Sequence, residues 1–367
     1  MPFEVDRASS ASAPAGVASL GLGGLEALRL VLRGGSVVDW RRLHFADAAA
    51  VDAFLRLNLL DPDDEGDERR LRAILAQAVE YLRKAFGYRV ADEVAQPADV
   101  RDLFLLASGA ARPKKYRRIA CVVLKCMHVV HHLEARELLF RTPIREADLA
   151  ERVDRRVMAE ARRMQALGLP VVEFVGNVKS RSSLVTKLLL KRESVAAQIF
   201  DRVRYRIVTE REDQVPVALH HLATSLFPFN YVVPGQTQNT LLAFRDLVAR
   251  HPRAADLVPA LQAPLDAEVR DARPRNEFSG NGYRVLNFVV DLPVRVDELL
   301  PPGGGPDDLG RIVFSLVEFQ VLDLESARRN EAGDSSHERY KNRQGKKVLR
   351  RLSRGLVVPK RGTRGKE

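Results

Sequence analysis

Two polar side chains interrupt an apolar strand pattern late in the chain, and their types suit chemistry. From Ile312 onward the sequence alternates like a strand with apolar residues on both sides, which indicates a strand covered on both faces. On one face, Glu318 and Gln320 then replace hydrophobic residues. A carboxylate beside a covered strand needs a cation, a metal ion or hydrogen-bond donors. The pattern therefore predicts either a Mg²⁺ site at Glu318 or a carboxylate that reaches solvent where the sheet ends.

Three more polar sets lie at the boundaries of predicted elements in the second half of the chain. One predicted helix carries three of these side chains on nearly one face: Lys179, Ser183 and Lys187. Asp201 begins a predicted strand that also carries Arg204 and Arg206, although in a regular strand these arginines face away from Asp201. A turn then delivers the ring of Tyr283, preceded by Asn281, to the start of another strand.

Together these residues have the types needed for phosphoryl or pyrophosphoryl transfer. Asp201 and Glu318 could hold one Mg²⁺, the lysines and arginines could hold polyphosphate, and Tyr283 could stack on a base. Positioning and charge neutralisation supply most of the catalysis in such reactions. Each set also has a plain structural interpretation, because rows of cations are usually solvated faces and Asn-Gly is an ordinary turn signal.

The elements that must position these residues predict an α+β fold. Apolar residues recur at helical spacing through the first half, including Leu25–Leu32, Asp47–Leu59 with Asp47 as N-cap, Arg69–Phe86 and Lys114–Phe140. Thr142 and Pro143 predict the start of the next helix. Strands and helices alternate after Pro170, and a final helix follows from Ser335. We therefore predict an N-terminal all-helical region followed by a mixed β-sheet flanked by helices.

The predicted strands and domain limits follow from the same patterns. Strands are expected at Val171–Phe174, Gln198–Val208, Tyr231–Val233, Arg284–Val290 and from Arg311. The predicted divisions are a disordered N-terminus over 1–20, a helical domain over 21–168, a sheet domain over 169–353 and a basic disordered tail over 354–367.

The long predicted helix at Lys114–Phe140 contains histidines and both cysteines of the chain. His128 and His132 are four positions apart, as metal ligands on a helix can be, but no third ligand is evident. Packed histidines are the preferred interpretation, with Cys121 and Cys126 as core residues. Two cysteines without a disulfide framework indicate a reducing compartment.

The positive charge is concentrated at the C-terminus. The chain has 367 residues and a net charge of +11, and residues 341–367 hold eleven Lys or Arg against one acid. Such a tail can bind RNA or another polyanion, or it can be a solvated terminus. The N-terminus lacks a signal-peptide pattern and no stretch has the length and apolarity of a membrane span, so a cytoplasmic location without membrane contact is expected.

Five segments between about 172 and 345 resemble, in order, the synthetase domain of the RelA/SpoT family, the (p)ppGpp synthetases. They are NVKSRSSLVTK, IFDRVRYRIV, SGNGYRVLN, VEFQVLD and NEAGDSSHERYK. The resemblance covers about half the chain and implies a mixed sheet flanked by helices, related to the nucleotidyltransferases. It also implies transfer of the ATP pyrophosphoryl group to a 3′-hydroxyl.

The resemblance implies a role for each matching residue. Asp201 and Glu318 would be the Mg²⁺ ligands and catalytic carboxylates. The ATP phosphates would contact Lys179, Ser183, Lys187 and Arg206. The acceptor, a guanine nucleotide such as GDP or GTP, would contact Asn281, Tyr283, Gln320, His337 and Lys341.

Several positions depart from the family pattern and keep other functions open. Asn177 and Leu322 stand where the family has arginines, and Asn287 stands where it has a histidine. Arg204 replaces a small residue on the Asp201 strand. Lost cations weaken charge neutralisation at a polyphosphate site. The alternatives are a catalytically inactive nucleotide or RNA sensor, and an enzyme whose acceptor is RNA.

Overall fold

The computed structural model describes residues 18, 20–34, 45–111, 113–178, 181–190, 203–261, 270–271, 282–300, 306, 308–332 and 337–353. The predicted α+β class is confirmed, with helices preceding a mixed sheet and flanking it. The first seven helices are α1 (Leu22–Arg33), α2 (Ala48–Leu57), α3 (Glu65–Phe86), α4 (Asp92–Ala95), α5 (Arg101–Ser108), α6 (Arg117–Arg141) and α7 (Glu146–Ala166). The later helices are α8 (Arg181–Leu190), α9 (Val215–Ser225), α10 (Phe244–Ala249), α11 (Ala254–Leu257), α12 (Leu324–Glu331) and α13 (His337–Leu352).

The sheet has five strands in the order β1-β2-β5-β4-β3. The strands are β1 (Val171–Val178), β2 (Val203–Thr209), β3 (Gln238–Asn239), β4 (Leu286–Arg295) and β5 (Ile312–Asp323). Only β2 and β5 pair in parallel among these strands; the other neighbours are antiparallel. The longest strand, β5, therefore lies at the centre of the sheet, with β2 on one side and β4 on the other.

One face of the sheet is apolar and carries the larger hydrophobic core. Tyr205, Phe288 and Phe319 are fully buried on adjacent strands, and the ring centroids of Phe288 and Phe319 lie 5.6 Å apart. The odd-numbered β5 residues face this core because side chains alternate across a strand. Helices α1, α7 and α9 contribute buried residues to the same core. Thus the first and last helices of the N-terminal half pack with the sheet.

A second core is built from helices α2 to α6. It is extended by an aromatic cluster that includes Phe45, Phe54 and Phe104, whose ring centroids are 5.3–6.1 Å apart. Ile312, at the start of β5, belongs to this second core. The two cores therefore meet along the central strand. The predicted domain boundary at residue 168 remains a prediction.

Local signals predicted some element ends correctly and others wrongly. Asp47 is the N-cap of α2, since its carboxylate accepts a hydrogen bond from the Ala50 N–H at 2.9 Å. The Thr142 prediction was wrong: its hydroxyl donates to the Leu138 carbonyl at the end of α6, and α7 begins at Glu146. The strand predicted at Tyr231 is a 3₁₀ turn followed by a single β-bridge from Val232.

The remaining predicted strands exist with shifted limits. Strand β1 extends four residues beyond Phe174, and β4 extends to Arg295. Residues 198–202 of the predicted second strand lie outside the described residues, as do the two predicted termini over 1–17 and 354–367. None of the described helices is long and apolar enough to cross a membrane.

Candidate functional site

The face of the sheet opposite the larger core carries a group of polar side chains at its middle. Strand register brings them together, because Arg204 is paired with Glu318, and both Arg206 and Asn287 are paired with Gln320. Paired residues on neighbouring strands point to the same face. We call these five residues the polar window.

Glu318 is the centre of the polar window and its carboxylate is fully engaged. The residue is only 4% exposed. The Arg204 Nε–H donates to Glu318 Oε2 at 2.7 Å, and the Asn287 Nδ2–H donates to Glu318 Oε1 at 2.7 Å. The burial cost of the carboxylate is thereby offset by a cation and a second donor. The Glu318 carboxylate is therefore buried with protein donors and does not reach solvent.

Arg206 lies beside this network and is held by two exposed acids. Its Nη2 donates to Glu331 Oε1 on α12 at 2.9 Å, and its Nε lies 3.5 Å from Glu173 Oε1 on β1. About 30% of the Arg206 side chain remains exposed. Ion pairs of this kind are weak and exchange readily with other anions. Arg206 is therefore available to a phosphate that displaces Glu331.

The polar window is bounded by apolar packing at both ends of the same sheet face. At the β5 start, Phe314 packs under α6, with its ring stacked on His132 at 4.0 Å and an interplanar angle of 4°. At the other end, Val208 and Leu322 are paired and buried, beside α12. Leu322, which stands where the family has an arginine, is thus a core residue. Among the described residues, the polar face therefore lies between these two apolar ends.

The other predicted site residues lie on surrounding elements. Ser183 and Lys187 are one turn apart on α8, with Ser183 exposed and Lys187 half-buried. Helix α8 packs against α13, on which Lys341 is exposed. Tyr283, half-buried, precedes β4, and its carbonyl accepts a hydrogen bond from the Thr240 hydroxyl at 3.0 Å. His337 is the first residue of α13.

Three predicted residues cannot be placed relative to the polar window. Lys179, Asp201 and Asn281 lie outside the described residues. Their predicted roles as phosphate contact, metal ligand and acceptor contact stay predictions, and so does a Mg²⁺ shared by Asp201 and Glu318.

The described residues do not by themselves form a magnesium site. Within the described ranges, no group of three His, Cys, Asp or Glu side chains is arranged to hold a metal. Both Glu318 oxygens accept N–H bonds, and one of these donors belongs to the cationic Arg204. A divalent cation at Glu318 would lie next to the guanidinium, and their repulsion opposes binding. In the described residues, Arg204 is therefore the cation beside Glu318.

The sequence did not reveal that Arg204 and Asn287 are partners of Glu318. Arg204 was predicted as one of the cations for polyphosphate and as a departure from the family pattern, and Asn287 only as a departure. The missing information was register: parallel pairing of β2 with β5 sets Arg204 opposite Glu318, and antiparallel pairing of β4 brings Asn287 within reach. The only signal in the sequence was that Arg204 and Arg206 are two positions apart on the predicted strand and therefore share one of its faces.

The histidines of α6 pack against the sheet beside the polar window. His132 lies with Nε2 3.2 Å from Asp291 Oδ2 and Nδ1 3.0 Å from the His128 carbonyl oxygen. Burial lowers the pKa of His131 to about 3, with further lowering from the charges of His132 and Arg70. Burial also lowers the pKa of His128 well below its usual range. These histidines serve the contact between α6 and β5.

No protein-family model matches the chain, and no curated protein sequence matches it. Solved structures do match. Small alarmone synthetase 1 from Bacillus subtilis is 15% identical over 54% of this chain and 86% of its own, with a TM-score of 0.27. The same enzyme bound to its product pppGpp is 16% identical over 50% of this chain and 73% of its own, with a TM-score of 0.26.

A GTP pyrophosphokinase family protein from Streptococcus pneumoniae also matches. It is 14% identical over 56% of this chain and 84% of its own, with a TM-score of 0.27. The matched structures are of the kind of protein that the five sequence segments resemble. Identities of 14–16% with TM-scores of 0.26–0.27 carry no argument about the function of this chain, which is therefore argued from its own residues.

Proposed function

We propose that this protein binds a nucleotide polyphosphate at the polar window and does not transfer its phosphoryl groups. The observation that carries the proposal is the Arg204–Glu318–Asn287 network. In it, Glu318 accepts hydrogen bonds from the Arg204 guanidinium and the Asn287 amide, one on each carboxylate oxygen. This supports the sensor alternative: a RelA/SpoT-like architecture that keeps binding groups and in which the Glu318 carboxylate is already bonded to protein donors.

The chemistry of the polar window supports a phosphate-bearing ligand. Arg204 and Arg206 keep about a third of their side chains exposed. Gln320 lies between Arg206 and Asn287 in the register, so an amide group adjoins the cations. Guanidinium groups bind phosphate in a bidentate manner and with directional hydrogen bonds. Lys187 and Tyr283, by their resemblance to the family segments, would add a phosphate contact and a base contact.

A second candidate is Mg²⁺-dependent pyrophosphoryl transfer from ATP to the 3′-hydroxyl of a nucleotide or RNA. It is favoured by one observation: Glu318 and Gln320 share a polar face, as the Glu-x-Gln segment of the family requires. In this case Arg204 must leave the carboxylate when ATP binds. Glu318 would then accept the proton of the attacking hydroxyl, with Asp201 as its partner toward the metal ion.

The two candidates are separated by incubating the purified protein with γ-labelled ATP, Mg²⁺ and either guanine nucleotides or total RNA. We expect ATP binding in calorimetry and no labelled product, with the wild type and Glu318→Gln equally inactive. Arg206→Ala should weaken ATP binding, whereas Arg250→Ala, which removes an exposed cation directly after α10, should leave it unchanged. Labelled product that falls at least about a hundredfold in Glu318→Gln would establish the enzyme instead.

A further inference from the structure

The C-terminal end of α3 exposes three aromatic rings in a row. Tyr81, Phe86 and Tyr88 are 52%, 63% and 43% exposed, respectively. The ring centroids of Tyr81 and Phe86 lie 5.6 Å apart, and those of Phe86 and Tyr88 lie 6.5 Å apart. Single exposed apolar residues are ordinary, but contiguous ones mark interaction surfaces. We call these three residues the aromatic patch.

The backbone at the aromatic patch is fixed before any partner binds. Gly87 ends α3 in the left-handed conformation, with φ of 65°. Its N–H bonds to the Arg83 carbonyl, and the Tyr88 N–H bonds to the Leu82 carbonyl, both at 3.1 Å. The Arg83 guanidinium then donates to the Val90 carbonyl at 2.9 Å. A surface ordered in advance loses little conformational entropy on binding.

Exposed cations are interspersed with the rings along the sequence. Arg83, Lys84 and Arg89 are exposed within residues 81–89, a segment that contains the aromatic patch and no acid. The preceding Glu80 is paired with Lys84. Arg89 forms no ion pair with any described residue.

We propose that the aromatic patch and its cations bind single-stranded nucleic acid. Unpaired bases stack on exposed rings, while lysine and arginine follow the phosphate backbone. A duplex offers no unstacked base to the rings, so the surface should prefer single strands. A protein partner would be expected to meet fewer cations, because charged side chains are depleted at the centres of protein interfaces. This site lies at the end of α3 and on the residues that follow it, whereas the polar window lies on the sheet.

The test is fluorescence anisotropy of labelled 12-nucleotide oligo-U and oligo-dT with the full-length protein, its Phe86→Ala and Tyr88→Ala variants, and Arg89→Gln. We expect each aromatic substitution to weaken binding by at least about fivefold. Arg89→Gln should reduce the slope of log K against log salt by about 0.7. If the aromatic variants lose affinity equally for oligo-U and oligo-dT, the rings act by stacking alone. A larger loss of affinity for oligo-U indicates added contacts to the ribose.

The matched control is Phe140→Ala, which removes an exposed ring beside Arg136 at the end of α6. It should leave the affinity unchanged. Circular dichroism verifies that each variant is folded, since exposed rings contribute little to the core. Unaltered oligonucleotide affinity in Phe86→Ala and Tyr88→Ala would overturn the proposal. So would concentration-dependent self-association of the wild type, measured by sedimentation and lost in Phe86→Ala, without oligonucleotide binding.

Discussion

At the residue scale, the main finding is that Glu318 has a protein cation as its partner. A buried carboxylate pays a large desolvation cost, and a charge-assisted hydrogen bond from a guanidinium offsets it. Arg204 supplies this bond, with its Nε 2.7 Å from Glu318 Oε2. The side chain that departs from the family pattern on β2 is therefore the one that neutralises the residue most expected to carry chemistry.

Removing Arg204 should destabilise the protein more than removing its neighbour Arg206. Arg204→Ala leaves Glu318 without its cation, and we expect a loss of about 1–3 kcal/mol. This is below the value for a fully buried pair, because nearly a third of the Arg204 side chain is exposed. Arg206→Ala removes exposed ion pairs and should cost less than about 1 kcal/mol. Urea denaturation measures both.

A double substitution tests whether the Arg204 effect passes through Glu318. Arg204→Ala combined with Glu318→Gln removes both charges, so the loss should be smaller than the sum of the two single losses. Additive losses, or an Arg204→Ala loss no greater than that of Arg206→Ala, would show that the pair is not coupled.

At the scale of elements, the packing of α6 on β5 bounds the polar window at one end. His131 and His132 pack on Phe314, with ring centroids 5.2 and 4.0 Å from it. Arg70 on α3 is the cation that acts on His131 from the neighbouring helix, and Asp291 on β4 faces His132. The packed interface therefore favours neutral His131.

Acid should weaken this interface. Because burial lowers the pKa of His131 from 6.5 to about 3, the unfolded chain binds a proton in this range that the folded chain does not. Stability is therefore retained above pH 6.5 and falls as the pH decreases toward 3. The slope should reach about 1.4 kcal/mol per pH unit for one histidine. Unfolding by urea at pH 7.0, 6.0 and 5.0 measures it.

His131→Gln removes one titrating histidine and should reduce that pH dependence, while His128, whose pKa burial also lowers, still contributes to it. The control is Leu133→Gln, two positions away and 63% exposed, which does not titrate. The assignment fails if the His131→Gln protein loses stability between pH 7.0 and 5.0 as steeply as the control.

At the scale of the whole molecule, two hydrophobic cores meet along β5. Helix α1, the first in the chain, packs in the larger core with the sheet. Leu25, Leu28 and Val31 of α1 are completely buried with the sheet. Hydrogen bonds extend this contact, because Asn239 Nδ2 donates to the Leu32 carbonyl at 3.4 Å and His251 Nε2 lies 3.1 Å from the Leu20 carbonyl oxygen.

The sheet should therefore depend on α1 for its stability. Leu28→Ala leaves a cavity in the larger core, and we expect it to lower the free energy of unfolding by about 2–5 kcal/mol. Leu349→Ala on α13, where the residue is 51% exposed, should change it by less than about 0.5 kcal/mol. Similar effects of the two substitutions in chemical denaturation would mean that α1 is not integral to the sheet core.

Local patterns in the sequence determined the elements that depend on near neighbours. The alternation in β5 predicted its two faces and the polar positions Glu318 and Gln320, because successive side chains of a strand point in opposite directions. Asp47 was identified as an N-cap because its partner is three residues away. The order of helices before the sheet followed from the same short-range signals.

Tertiary structure decided which of these residues meet. The partner of Glu318 is 114 positions away and is selected by the parallel register of β2 and β5, which no local pattern encodes. The packing of α1 with the sheet was likewise decided by long-range burial, since an amphipathic helix specifies that an apolar face is covered and not which core covers it. Strand register and helix packing arise from side chains distant in sequence. The sequence alone therefore predicted a carboxylate in need of a partner, and the fold supplied Arg204.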